Sequence, residues 1–158
     1  MRRARDGRAL DSYGLPCNGG CADQGGHYLS NFDDDSANDV YFAVSRTGRT
    51  LKNIYLAFDE MLCTNGRSAF VSESGTLPTR LSVAPDGSFS GTFAVAQEDL
   101  DVFTASQEYS LSGVFIRHGK AARVVVRTRQ VGEGGTVCDS GDRSLTLRRT
   151  RSNPFPDQ

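Results

Sequence analysis

From residue 25 onward, apolar and polar residues alternate with a period of two, and that alternation commits the chain to strands rather than amphipathic helices. In residues 39–45, Val40, Phe42 and Val44 fall on one face, and Tyr41, Ala43 and Ser45 on the other. Arg46-Thr47-Gly48-Arg49 then offers a glycine for the positive φ of a tight turn. The chain returns through residues 50–58 with Ile54, Leu56 and Phe58 sharing a face, which predicts a hairpin. A second hairpin is predicted where residues 80–83 run into Pro85-Asp86-Gly87. There the proline fixes φ, the aspartate bonds its own backbone and the glycine takes the left-handed position. Its return strand, 88–95, sets Phe89, Phe93 and Val95 on one side. A third hairpin joins residues 109–116 to 122–129 across His118-Gly119-Lys120.

Shorter strands are expected at 26–30, 69–72 and 144–148, while residues 96–108 break the pattern and read as a short helical turn or a loop. The fold expected is therefore all-β: an antiparallel β-sandwich or flattened barrel of about nine short strands. The 158 residues suffice for one domain, predicted over 25–150. Residues 1–24 read as a polar, glycine- and cysteine-containing arm, and 151–158 as a C-terminal tail. A hydrophobic content of 37%, with 17 glycines and no tryptophan, fits thin layers and many turns.

Four cysteines, at 17, 21, 63 and 138, allow three pairings. Cys17 and Cys21 flank the tight turn Asn18-Gly19-Gly20, which makes them natural partners and leaves Cys63 for Cys138. Cys63 and Cys138 both read as turn residues, followed by Thr64-Asn65-Gly66 and Asp139-Ser140-Gly141. The competing reading is a zinc site made by all four, although structural zinc pairs usually repeat the short spacing twice. Paired disulfides imply an oxidising compartment and an exported chain. Met1-Arg2-Arg3-Ala4-Arg5 resembles the basic start of an export signal, but no apolar run follows, so the signal is expected to lie outside these residues.

A net charge of −1 gives no field for nucleic acid, and no stretch has the length of a transmembrane helix. The basic ends, with Arg2, Arg3, Arg5 and Arg8 at one and Arg143, Arg148, Arg149 and Arg151 at the other, read as solvated tails.

Several pieces occur in an order that resembles small exported β-sandwich proteins common in actinobacteria. They are His27-Tyr28, Phe42-Ala43-Val44-Ser45, Gly48-Arg49, Cys63, residues 86–90, residues 112–115 and residues 137–141. The likeness covers roughly residues 25–150 and departs at the last strand, where such proteins usually carry a tryptophan and this chain has Leu145 and Leu147. It implies the fold, export and a Cys63–Cys138 bridge. It transfers no active site.

The stock of catalytic groups is thin. His27 stands at a strand start and His118 at a hairpin tip. Gly87-Ser88-Phe89-Ser90-Gly91 carries phenylalanine where a nucleophile elbow needs serine. Asp59-Glu60 and Glu98-Asp99-Asp101 could serve a polysaccharide hydrolase only if carboxylates converged in three dimensions. The loop at 31–39 has spaced carboxylates suited to calcium, with Asp33, Asp35 and Asp39 as the ligands. No other cofactor is indicated. Arg123, Arg127 and Arg129 share one face of a strand, with Arg148 outward on the closing strand, and could bind a carboxylated or sulfated polysaccharide. The expectation is a non-catalytic exported module acting in binding or in the cell envelope, with the hydrolase as the alternative.

Overall fold

The computed structural model describes residues 2–3, 9–10, 26–30, 38–69 and 72–150. The expected pair Cys17–Cys21, the tail at 151–158, most of the arm at 1–24, and Asp33 and Asp35 lie outside these residues. In chain order the strands are β1 (Arg2–Arg3), β2 (Ala9–Leu10), β3 (Gly26–Leu29), β4 (Asn38–Val44), β5 (Thr50–Phe58), β6 (Met61–Cys63) and β7 (Ser68–Ala69). There follow β8 (Ser72–Glu73), β9 (Leu81–Ser82), β10 (Ser88–Ala94), β11 (Thr104–Ile116), β12 (Ala121–Gly132), β13 (Val137–Asp139) and β14 (Arg143–Thr150). β1 and β2 pair with each other, and the remaining 12 form one antiparallel sheet that folds over on itself without closing. The antiparallel sandwich is as expected, though the strands are more numerous and two are long.

β12 organises the fold. One of its edges pairs with β11 from Ala121↔Ile116 to Thr104↔Gly132. Its other edge is shared: β14 takes Ala121 to Val126, and β13 takes Arg129 to Val131. Beyond β14 the sheet continues through β3 and β4 to β5. The layer β10–β11–β12 thereby packs over β3–β4–β5, with inward aromatics meeting across the gap. Phe42 of β4 lies 5.5 Å from Phe89 of β10 and 6.2 Å from Phe115 of β11, while Phe58 stacks on Tyr109 at 6.1 Å. Phe42, Phe58, Phe115 and Tyr109 are fully buried, and so is Leu147, the inward leucine of the closing strand. The Tyr109 hydroxyl is satisfied by Ser72 Oγ at 2.9 Å and by the Gln107 side-chain amide at 2.7 Å, so its burial leaves no orphan.

Three local expectations change. The turn at 84–88 closes as read, with the Ala84 N–H bonded to Ser88 O, but residues 80–83 do not zip along β10. β9 pairs instead with β5, through Thr50↔Ser82 and Leu51↔Leu81, because the inward Leu81 and Val83 bury against the far layer. Cys63 and Cys138 are strand residues rather than turn residues: they face each other in register between β6 and β13 and are joined by a disulfide. Finally, β11 begins at Thr104, well inside the segment read as irregular, after a single 3₁₀ turn at Gln97–Asp99.

Candidate functional site

Alternation on β12 buries Ala122, Val124, Val126 and Thr128 and exposes Arg123, Val125, Arg127 and Arg129. The arginine column is therefore real, and its neighbours follow from register. One row across the outer face reads Ser90, Ser112, Val125, Ser144, and the next reads Ser88, Val114, Arg123, Thr146. Arg123 thus has Val114 on one side and Thr146 on the other, with Ser112 and Ser144 diagonal to it. Between the rows lies a shallow depression of about 400 Å³, lined by Arg123, Ser112, Ser144 and Thr146 together with the apolar Val114, Val125 and Leu145. A second, of about 530 Å³, runs from the same Ser112-Gly113-Val114 segment towards Ser82, Ser88 and Ser90.

Gly113 lies on the inner side of β11, beneath this face. A Cβ there would lie 2.5 Å from the Arg123 carbonyl oxygen and 2.8 Å from the Phe89 ring, so only glycine lets that ring pass beneath β11.

The four arginines are not equivalent. Arg127 donates two hydrogen bonds to Asp139, Nε to Oδ1 at 2.9 Å and Nη2 to Oδ2 at 2.6 Å. The Arg127 guanidinium holds the Asp139 carboxyl below the ordinary carboxylate range, and the Gly141 N–H adds to that effect. Arg129 stands in register with Glu108 on one side and Asp139 on the other. Arg123 faces Val114 and Thr146, and Arg148 faces Ala121; among the described residues neither has an acidic group opposite. The free cationic end of the column is thus Arg123 with Arg148. Asp139 and the hydroxyls of Ser112, Ser144 and Thr146 were not singled out from sequence. The signal for the hydroxyls was the same period of two, applied to the polar residues of the outer face; Asp139, on a three-residue strand, had none.

The carboxylates considered for catalysis have structural roles. Asp59 pairs with Arg143 at 3.3 Å, and Glu60 accepts from Ser68 Oγ at 2.7 Å. Asp101 caps the turn into β11, accepting from the Phe103 N–H and from Thr104 Oγ1 at 2.8 Å each. Glu98 and Asp99 lie in the 3₁₀ turn. His118 is exposed at the hairpin tip with φ 55°. His27 meets the Tyr41 hydroxyl through Nδ1 at 2.7 Å, and burial favours its neutral form.

A different acidic pair does come together. Asp39 and Glu73 flank Ala57 on opposite sides in one row, Asp39↔Ala57↔Glu73. Burial raises the Asp39 carboxyl, with the Glu73 charge adding to it, and burial raises the Tyr55 hydroxyl, which also hydrogen-bonds Glu73. Asp39 is the one residue of the expected calcium set that is described. Among the described residues no three His, Cys, Asp or Glu side chains gather as a metal site.

No family model, no curated protein and no solved structure matches the chain.

Proposed function

We propose that the chain is an exported, non-catalytic β-sandwich domain whose outer face binds a carboxylated or sulfated polysaccharide in the extracellular space or cell envelope. The observation that carries this reading is Arg123, a guanidinium with no acidic partner among the described residues, in a shallow depression of mixed hydroxyl and apolar lining on the open face of the sheet. A guanidinium fork matches carboxylate and sulfate oxygens, and the short serine and threonine hydroxyls add donors and acceptors for sugar hydroxyls. A long polymer fits an open shallow face better than a closed pocket does. Export is supported by the oxidised Cys63–Cys138 pair, which would be reduced in most cytoplasms. It accords with the resemblance to exported actinobacterial sandwich proteins.

The test is native electrophoresis through gels containing polygalacturonate, dextran sulfate or neutral dextran. Retardation is expected with the two anionic polymers and not with dextran. Arg123→Ala should weaken binding about tenfold, the effect of losing one charge-assisted contact. Arg127→Ala should change it little, because that side chain is already committed to Asp139. Equal mobility in all three gels, or unaltered retardation of Arg123→Ala, would overturn the reading.

The pair Asp39 and Glu73 favours a second reading, a polysaccharide hydrolase. Asp39, raised by burial, suits a general acid, and Glu73 suits a base that activates water. On this reading the protein releases reducing ends from polygalacturonate, and both Asp39→Asn and Glu73→Gln abolish the release. Absence of release from the wild type removes the hydrolase and leaves the binding module.

A further inference from the structure

We propose that two copies of the chain associate by antiparallel pairing of β10 with β10, about a twofold axis at Gly91. The proposal does not depend on what the outer face binds.

The ladder between β10 and β11 decides which backbone groups of β10 are free. The Phe115 N–H bonds Gly87 O and the Val95 N–H bonds Gln107 O, and the register between these ends is unbroken. Hydrogen-bonded pairs recur at every second residue, so Phe89, Gly91 and Phe93 point their backbone groups at β11. Ser90, Thr92 and Ala94 point theirs away. Ser88 is satisfied at the turn, through its N–H to Asp86 Oδ1 and its carbonyl to Ala84. Beyond that turn β9 pairs with β5 while its Leu81 side chain stays packed against Gly91, so among the described residues no strand hydrogen-bonds the edge from Ser90 onward. The depression of about 530 Å³ between Ser82, Ala84, Ser88 and Ser90 is the space that the departure opens.

Edge strands are ordinarily blunted by charge, proline, a bulge or shortness. β10 has none of these: it is seven residues long, Ser88-Phe89-Ser90-Gly91-Thr92-Phe93-Ala94, uncharged, free of proline and in unbroken register. Its outward residues Ser90, Thr92 and Ala94 are exposed, while Phe89 and Phe93 are already buried in the core of their own domain.

The sequence of the strand selects a second copy as the occupant, because it is nearly palindromic about Gly91. Antiparallel self-pairing sets Ser90 against Thr92 of the second copy and Thr92 against its Ser90, as hydrogen-bonded pairs. It sets Gly91, which has no side chain of its own, against Gly91 as a non-hydrogen-bonded pair, where two strands approach most closely, with Leu81 packed against Gly91 within each domain. Phe89 and Phe93 fall opposite each other on the inner side. The pairing is isologous and uses up the edge, so assembly stops at two. It would also extend the hydroxyl-rich outer face continuously from one domain to the next.

Sedimentation equilibrium over about 5–500 μM, the range for an interface this small, tests the proposal. The wild type is expected to move from the 17.1 kDa chain mass towards twice that value. Ser90→Lys with Thr92→Lys places like charges opposite each other and should hold the chain at monomer mass throughout. Ser90→Lys with Thr92→Glu places opposite charges there and should restore the dimer. Should the double-lysine chain fail to fold, Thr92→Pro removes one outward N–H, is tolerated at an edge and must give the same loss. A wild type that stays monomeric, a double-lysine chain that still dimerises, or open-ended growth would each overturn it.

Discussion

Replacing Cys63 and Cys138 together by alanine is expected to lower the stability of the domain by about 4 kcal/mol on the chain-entropy account. The bridge spans 75 residues, a long loop in the unfolded chain. The loss is concentrated because the bridge joins one of the shortest pairings of the sheet. β6 and β13 meet only through Cys138↔Cys63 and Asp139↔Leu62, and β7 reaches the sheet only through β6. Without the sulfurs, those two register pairs and the two hydrogen bonds between Thr64 and Val137 must hold that corner. Thermal unfolding should therefore fall by on the order of 10 °C. Amide exchange should rise first at Leu62 and Ser68, well before the β11–β12 ladder opens. If the double variant melted within about 2 °C of the wild type, the bridge would be no more than an ornament on an already rigid corner. Loss of exchange protection spread evenly over all strands would show instead that the corner is not a separate unit.

How much of this was legible in sequence depends on what each residue answers to. Val40, Phe42 and Val44 answer to the pleat, and a period of two read them correctly as one face joining the core, although Tyr41 and Ala43 on the other face are buried too. The arginine column was legible for the same reason. Leu81 and Val83 answer to the far layer as well as to the neighbouring strand. A turn signature at 85–87 predicts where the chain reverses, and it does not say how far the two arms stay zipped. Burial of Leu81 against β5 drew β9 away from β10 and left the open edge. Cys138 shows a related limit: β13 is three residues long and exists because the far half of β12 leaves an edge that β14 does not cover. That branch is a property of the whole sheet, so the alliance of Arg127 with Asp139 across it had no local signal. Asp39 and Glu73 likewise come into one row only through β5, which stands between them.

Phe42→Ala is expected to cost about 4 kcal/mol, within the range for removing a fully buried ring. Phe42 is the side chain at which the two layers meet. It lies 5.4 Å from Tyr28 of its own layer, and it presents its edge to Phe89 and Phe115 of the other. Its removal leaves a void bounded by three rigid rings that cannot collapse into it cheaply, since each is held by further packing. Phe89 and Phe115 are themselves 5.2 Å apart. Phe42→Leu keeps most of the volume and should cost only about 1–1.5 kcal/mol. Urea denaturation should show the midpoint falling in both variants with the slope unchanged, as expected where stability changes and compactness does not. A double-mutant cycle with Phe89→Leu isolates the contact across the layers. A coupling of about 1 kcal/mol is expected for an edge-on aromatic pair. A coupling near zero would mean that Phe42 stabilises its own layer alone, and that the sandwich is held chiefly by Phe58 against Tyr109.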